Sequence, residues 1–206
     1  MRTNSNMTRS ASTPRLRLIL LWYLLVMVLV AVSERPWGRH WSGELAAMLG
    51  LLLIAAAALG RIWCSVFIAG YKDEELVTVG PYSLCRNPLY GLSMLAGLGI
   101  GLASRSVILL IATIAVLALL HFRAARDEER ALLARHRAAF QRYCERVPRF
   151  LPRHWRSDTT PRAAVNVDVF WKSFLDAGSL FSLYAAVVAC DVLQRAFHWP
   201  AAFVLW

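Results

Sequence analysis

The 206 residues are 58% hydrophobic and only 17% charged, against roughly 25% charged in soluble domains, and the apolar residues come in runs, not in alternation. That excludes an ordinary soluble domain and predicts an all-α, polytopic helical membrane protein of about five spans. The net charge of +10 does not point to nucleic acid: eleven arginines and no lysine lie between Arg123 and Arg162, beside the end of an apolar run, a pattern that marks the cytoplasmic side of a membrane protein and suits anionic headgroups.

In chain order, residues 1–17 are polar and basic. The apolar run behind them, 16–33, has no small-residue cleavage site after it and reads as a retained span. A second run extends from about Glu44 to Gly70 and contains Arg61, expected to snorkel to the cytoplasmic surface. At ~1.5 Å per residue, about 18 to 26 residues cover the ~30 Å hydrocarbon core. A third run, "LYGLSMLAGLGIGLA", is short and rich in glycine, and Ser104-Arg105 turns it into a fourth, "SVILLIATIAVLALLHF". Small residues let these two pack as a helical hairpin.

From Arg123 to about Arg146 the chain reads as a polar helix, ended by "VPRFLPRHW" because Pro148 and Pro152 lack amide protons. Residues 153–169 read as a loop. A fifth apolar stretch, 174–193, carries Asp176 and Asp191 near its ends, and the tail "FHWPAAFVLW" has the composition of an interfacial anchor. Counting arginine and lysine places the N-terminus and both polar segments, 71–90 and 123–162, on the cytoplasmic face. Only Arg35, Arg39, Arg105 and Arg195 fall opposite.

The four cysteines form no CxxC and suggest neither a disulfide framework nor a zinc site. Cys85 precedes Arg86, which favours a lowered thiol pKa, but no base accompanies it in sequence to make it a nucleophile.

Two segments carry candidate chemistry. In "VGPYSLCRNPLYG", residues 79–91, Gly80-Pro81 breaks the preceding helix and Asn87-Pro88 starts the next, with Asn87 as N-cap. A plain turn explains the punctuation. It leaves unexplained why Tyr82, Arg86 and Tyr90 gather at a helix start, where amides attract carboxylates and rings flank a flat ligand. In the polar helix, Ala125, Glu129, Leu132, His136, Phe140 and Tyr143 share one face. A carboxylate on a packing face needs a partner. Either Arg126 or another arginine forms a structural ion pair with it, or Glu129, with Glu128 beside it, holds a cationic ligand group. His136 and Tyr143 read as packing residues.

"GPYSLCRNPLYG", then an apolar hairpin, then "EERALL" and "Y-x3-VPRFLP" resemble the membrane methyltransferases related to isoprenylcysteine carboxyl methyltransferase and phospholipid N-methyltransferases. The resemblance covers roughly residues 76–152. It implies that an Arg-His-Pro-x-Tyr motif and a Glu-Glu helix bind S-adenosylmethionine in a pocket open to the cytosol, with a lipid or other apolar acceptor entering from the bilayer. Carried over, the cofactor residues are the segment Glu74, Glu75, Leu76 and Val77, then Tyr82, then Asn87, Pro88, Leu89 and Tyr90, and the pair Glu128 and Glu129. An acceptor-side arginine falls at Arg123 or Arg126.

Three positions depart from the family pattern. Asn87 stands where the histidine is usual, so it hydrogen-bonds but carries no proton. The usual Phe-Gly pair is His136-Arg137, and a usual tyrosine is Phe140. The expected organisation is one membrane domain, 1–206, with a methyltransferase-like core at 76–152 and an extension at 153–206. With no base visible, a carboxylate or thiol-type acceptor is favoured over an amine. The rival reading is an inactive membrane binding or assembly subunit. A transporter fits less well, because no span shows paired charges at its midplane.

Overall fold

The computed structural model describes residues 5–68, 75–153, 157–158, 167–197 and 201–206, with side chains from residue 14 onward except 38 and 39. Among the described residues, four helices are long and apolar enough to cross a membrane: α1 (Ser5–Val32), α2 (Trp41–Ile68), α5 (Val107–Arg146) and α6 (Val167–Ala196). Between α2 and α5 lie the four-residue α3 (Pro81–Leu84) and the shorter apolar α4 (Pro88–Ala103). The protein is a polytopic helical membrane protein, as its composition predicts.

The helices bury a core of aliphatic and small residues and leave many large apolar side chains on the outside. Val26, Val30, Ile54, Ala57, Ile100, Leu117 and Val187 form the core, while Leu20, Leu24, Leu52, Leu59, Ile111 and Leu175 are exposed. That arrangement suits helices whose outer surface meets lipid, where association depends on close packing. The backbones of α2 and α4 approach closely: a Cβ on Gly50 would lie 2.5 Å from the Gly99 carbonyl oxygen, and one on Gly99 would lie 2.6 Å from the Gly50 oxygen. The expected α4–α5 hairpin is also present, with Gly97 and Gly101 facing Leu117 and Leu110. Its small residues thus serve two partners.

Arg61 does not simply snorkel. It pairs with Asp176 of α6 and donates to Ser93 Oγ of α4 at 2.7 Å. At the other end of the bundle, Asp191 is buried and receives Arg35 at 2.7 Å, Arg195 at 2.5 Å, and Arg105. Arg105 and Arg195 also reach Glu44, at 2.5 and 3.1 Å. Arg105 is held at φ +53° by the α4–α5 turn. The tail is more than an anchor: β2 (Phe203–Val204) pairs in parallel with β1 (Ser33–Glu34), and Trp206 O accepts from Ser106 Oγ at 2.8 Å. Residues 198–200 of the tail and most of the 153–169 loop lie outside the described residues.

Candidate active site

At the end of the bundle away from Asp191, the chain enters the site through Gly80. Its φ is +63°, and a Cβ there would sit 2.7 Å from the Phe67 ring, so only glycine fits. Pro81 opens α3, and Tyr82, Ser83 and Leu84 are buried beneath the polar end of α5. Arg86 and Asn87 then meet the chain after α5: Arg86 N donates to Pro148 O at 2.8 Å, and Asn87 N to Arg149 O at 3.1 Å. Asp158 O accepts from Gly80 N at 2.6 Å, and Asp158 N donates to Ser83 Oγ at 2.9 Å. The "VPRFLP" segment that ends α5 is therefore folded back onto the turn before α4.

Glu129 lies at the centre. It is 9% exposed, and its carboxylate accepts from Asn87 Nδ2 at 2.9 Å and from Arg149 Nε at 3.0 Å, with Arg86 Nε 3.4 Å away. One expectation changes here. Asn87 occupies the N-cap position of α4 but makes no side-chain cap, because its amide is drawn to the buried carboxylate instead. The cations on Glu129 are Arg149 and Arg86, not Arg126. Arg126 lines a neighbouring groove, and Arg123 is exposed and lines neither space.

Glu128 is one step round the helix and accepts from the Tyr90 hydroxyl at 3.0 Å. That hydroxyl in turn accepts from Arg15 of α1 at 3.0 Å, and the Arg15 guanidinium lies 5.4 Å from the ring centroid. The Tyr90 ring also stacks with His121, with ring centroids 5.3 Å apart. Pro88 is buried in the first turn of α4, and Leu89 is half-buried, its carbonyl accepting from Ser93 Oγ.

Seven of the sequence-predicted residues line one cleft: Glu75, Leu76, Val77, Tyr82, Asn87, Glu128 and Glu129. Leu132, His136, Phe140 and Tyr143 of α5 also line it, with Ile68, Arg86 and Arg135, so the predicted packing face of α5 is one wall of the cleft. Glu74 lies outside the described residues. The Tyr82 hydroxyl is buried and has no hydrogen-bond partner among the described residues, and burial holds its phenol well above the usual tyrosine range. Tyr143 ties α5 to α3 by donating to Tyr82 O at 2.6 Å. Burial pushes the Cys85 thiol up to about 11, which reverses the effect expected from Arg86 and removes the thiolate.

The cleft measures about 120 Å³, below the ~300 Å³ of small-ligand pockets. A groove of about 780 Å³ adjoins it, lined by Arg126, Arg130, Arg149 and Cys144 and sharing Arg86, Glu129 and Phe140 with the cleft. Those three side chains separate the two spaces. Sequence reasoning missed Arg149, Arg15 and His121. Arg149 sat between two prolines that explained the helix end. His121 was the lone polar residue of "LALLHF".

A bundle of apolar helices thus carries a carboxylate-lined cleft at one polar end. The chain belongs to the phospholipid methyltransferase family, whose sequence profile matches residues 39–137. It is 33% identical over 183 residues to the nickel-cobalt-cadmium resistance protein NccN of Alcaligenes xylosoxydans xylosoxydans, covering 88% of this chain and 84% of that one. It is also 33% identical over 180 residues to the cobalt-zinc-cadmium resistance protein CzcN of Cupriavidus metallidurans, covering 85% and 82%. No solved structure matches the chain.

Proposed function

We propose that this protein is an S-adenosylmethionine-dependent methyltransferase acting on a lipid or other apolar acceptor. The observation that carries the reading is the convergence of Glu75, Tyr82, Asn87, Glu128 and Glu129 on one cleft from three separate stretches of chain. The donor set suits the cofactor. Glu128 and Glu75 would hold its ammonium and ribose hydroxyls, the unpartnered Tyr82 hydroxyl offers a further hydrogen bond, and Leu76, Val77, Leu132 and Phe140 supply apolar surface for adenine. When bound, the cofactor supplies a methyl group on a positively charged sulfur. The protein's part is to hold donor and acceptor in line and keep water out. Asn87 positions by hydrogen bonding and does not titrate. Parting of Arg86, Glu129 and Phe140 would join cleft and groove into a space of cofactor size.

The distribution of arginine and lysine supports a cytoplasmic site, with 76–152 as the core and 153–206 as an extension that braces it. A second reading, a membrane binding or assembly subunit, draws support from the saturation of Glu129 by Asn87, Arg149 and Arg86 and from the resistance functions named for the two relatives. Titration with S-adenosylmethionine separates them, since a scaffold has no need to bind it.

A further inference from the structure

His121 is buried, 6% exposed, and neither of its ring nitrogens has a hydrogen-bond partner among the described residues. A neutral imidazole carries one donor and one acceptor, and buried polar atoms normally find partners. Its position is specific. It precedes Glu128 by seven residues on α5, about two turns or ~10 Å nearer the apolar half of the helix. Its ring stacks on Tyr90, whose hydroxyl bonds Glu128. One aromatic side chain therefore links the carboxylate of the cleft to an uncommitted imidazole on the side from which an apolar molecule would arrive. Charged groups surround it from other elements: Arg15 of α1 on Tyr90, and Arg61 of α2, itself paired with Asp176 of α6.

We propose that His121 is the catalytic base that meets the reacting atom of the acceptor, and that this atom is an amine, hydroxyl or thiol, not a carboxylate. The inference rests on the methyltransferase reading above. The acceptor's proton passes to the free imidazole nitrogen, which exposes a lone pair. That lone pair forms the new bond to the methyl carbon as the carbon–sulfur bond breaks, and the departing pair neutralises the sulfur. The proton then leaves His121 for water, restoring the neutral ring. Glu129 is held by two arginines and an amide, and the Asn87 amide does not titrate, so neither takes up the acceptor's proton. A carboxylate acceptor would have no proton to surrender and no use for His121.

The test uses the full chain in detergent, S-adenosylmethionine labelled in its methyl group, and vesicles of a total bacterial lipid extract, with wild type, His121→Phe and His121→Gln side by side. His121→Phe is expected to bind S-adenosylmethionine within about threefold of wild type and to melt no lower, because phenylalanine removes an unsatisfied polar group from an apolar setting. Methyl transfer should fall ~100-fold or more in both variants, the size of a lost general base. The wild-type product should release no labelled methanol in mild alkali, as a methyl ester would. Transfer at the wild-type rate in either variant, or an alkali-labile methyl ester as product, overturns the proposal. Failure of the methyltransferase reading appears elsewhere, as absence of cofactor binding and transfer in the wild type itself.

Discussion

The Asn87 side-chain amide donates to the Glu129 carboxylate at 2.9 Å, across 42 residues of sequence. It joins the start of α4 to the polar half of α5 and closes one wall of the cleft. Asparagine makes the contact permanent across the physiological range.

The two glutamates should therefore separate in mutagenesis. Glu128 bonds only Tyr90 among the described contacts and is exposed, so Glu128→Gln should stay as stable as wild type yet lose cofactor affinity about ten- to hundredfold, the ~1.5–3 kcal/mol of a charged hydrogen bond. Glu129→Gln also strips Arg149 and Arg86 of their carboxylate and should lower the melting temperature as well. Calorimetric titration beside a melting curve reads both effects, and equal stability loss in the two variants would contradict this division of roles.

Arg137 kinks α5 at φ +42°, ψ −114°, a conformation that suits glycine. It stands where the resemblance places the glycine of a Phe-Gly pair. Arg137→Gly should stabilise the protein by about 1 kcal/mol by relieving backbone strain. A lowered melting temperature would show that the arginine side chain outweighs the strain.

Asp191 gathers Arg35, Arg105 and Arg195 at the end of the bundle remote from the cleft. Asp191→Asn leaves the buried Arg35 guanidinium without a carboxylate and Arg105 with Glu44 alone, at a cost of about 3–5 kcal/mol. Thermal unfolding should register that loss while cofactor affinity in the folded fraction stays at the wild-type value.

Cys85 supplies a pH dependence. Its thiol is held at about 11 by burial, whereas an unfolded-chain thiol ionises near pH ~8.5. The unfolded state loses its proton first, so stability is full below about pH 8.5 and declines as pH rises towards the folded value. Unfolding curves from pH 7 to 11 should show that decline in the wild type and a shallower one in Cys85→Ala.

The spans were legible because runs of leucine, alanine and valine admit one physical reading, and the cleft residues because Gly-Pro, Asn-Pro and Glu-Glu are punctuation that apolar spans do not need. What the sequence hid was pairing at long range. Nothing local says that Arg149 folds back on Glu129, that Arg61 finds Asp176, or that Gly99 meets Gly50. The β1–β2 pairing was equally hidden, since two residues carry no periodicity. His121 was visible as a polar residue in an apolar run, but its lack of partners is a property of the packed bundle alone.

Topology follows from the same arginine count. With native cysteines removed, a cysteine replacing Ser157 should react with an impermeant reagent from the cytoplasmic side, and one replacing Ser42 from the opposite side. Reaction of both from one side would overturn the orientation of the site.

The most direct measurement is calorimetric titration of the purified protein with S-adenosylmethionine. The account predicts saturable binding by the wild type, weakened about ten- to hundredfold in Glu128→Gln with the melting temperature unchanged. No binding by the folded wild type, or equal affinity in the two proteins, would contradict it.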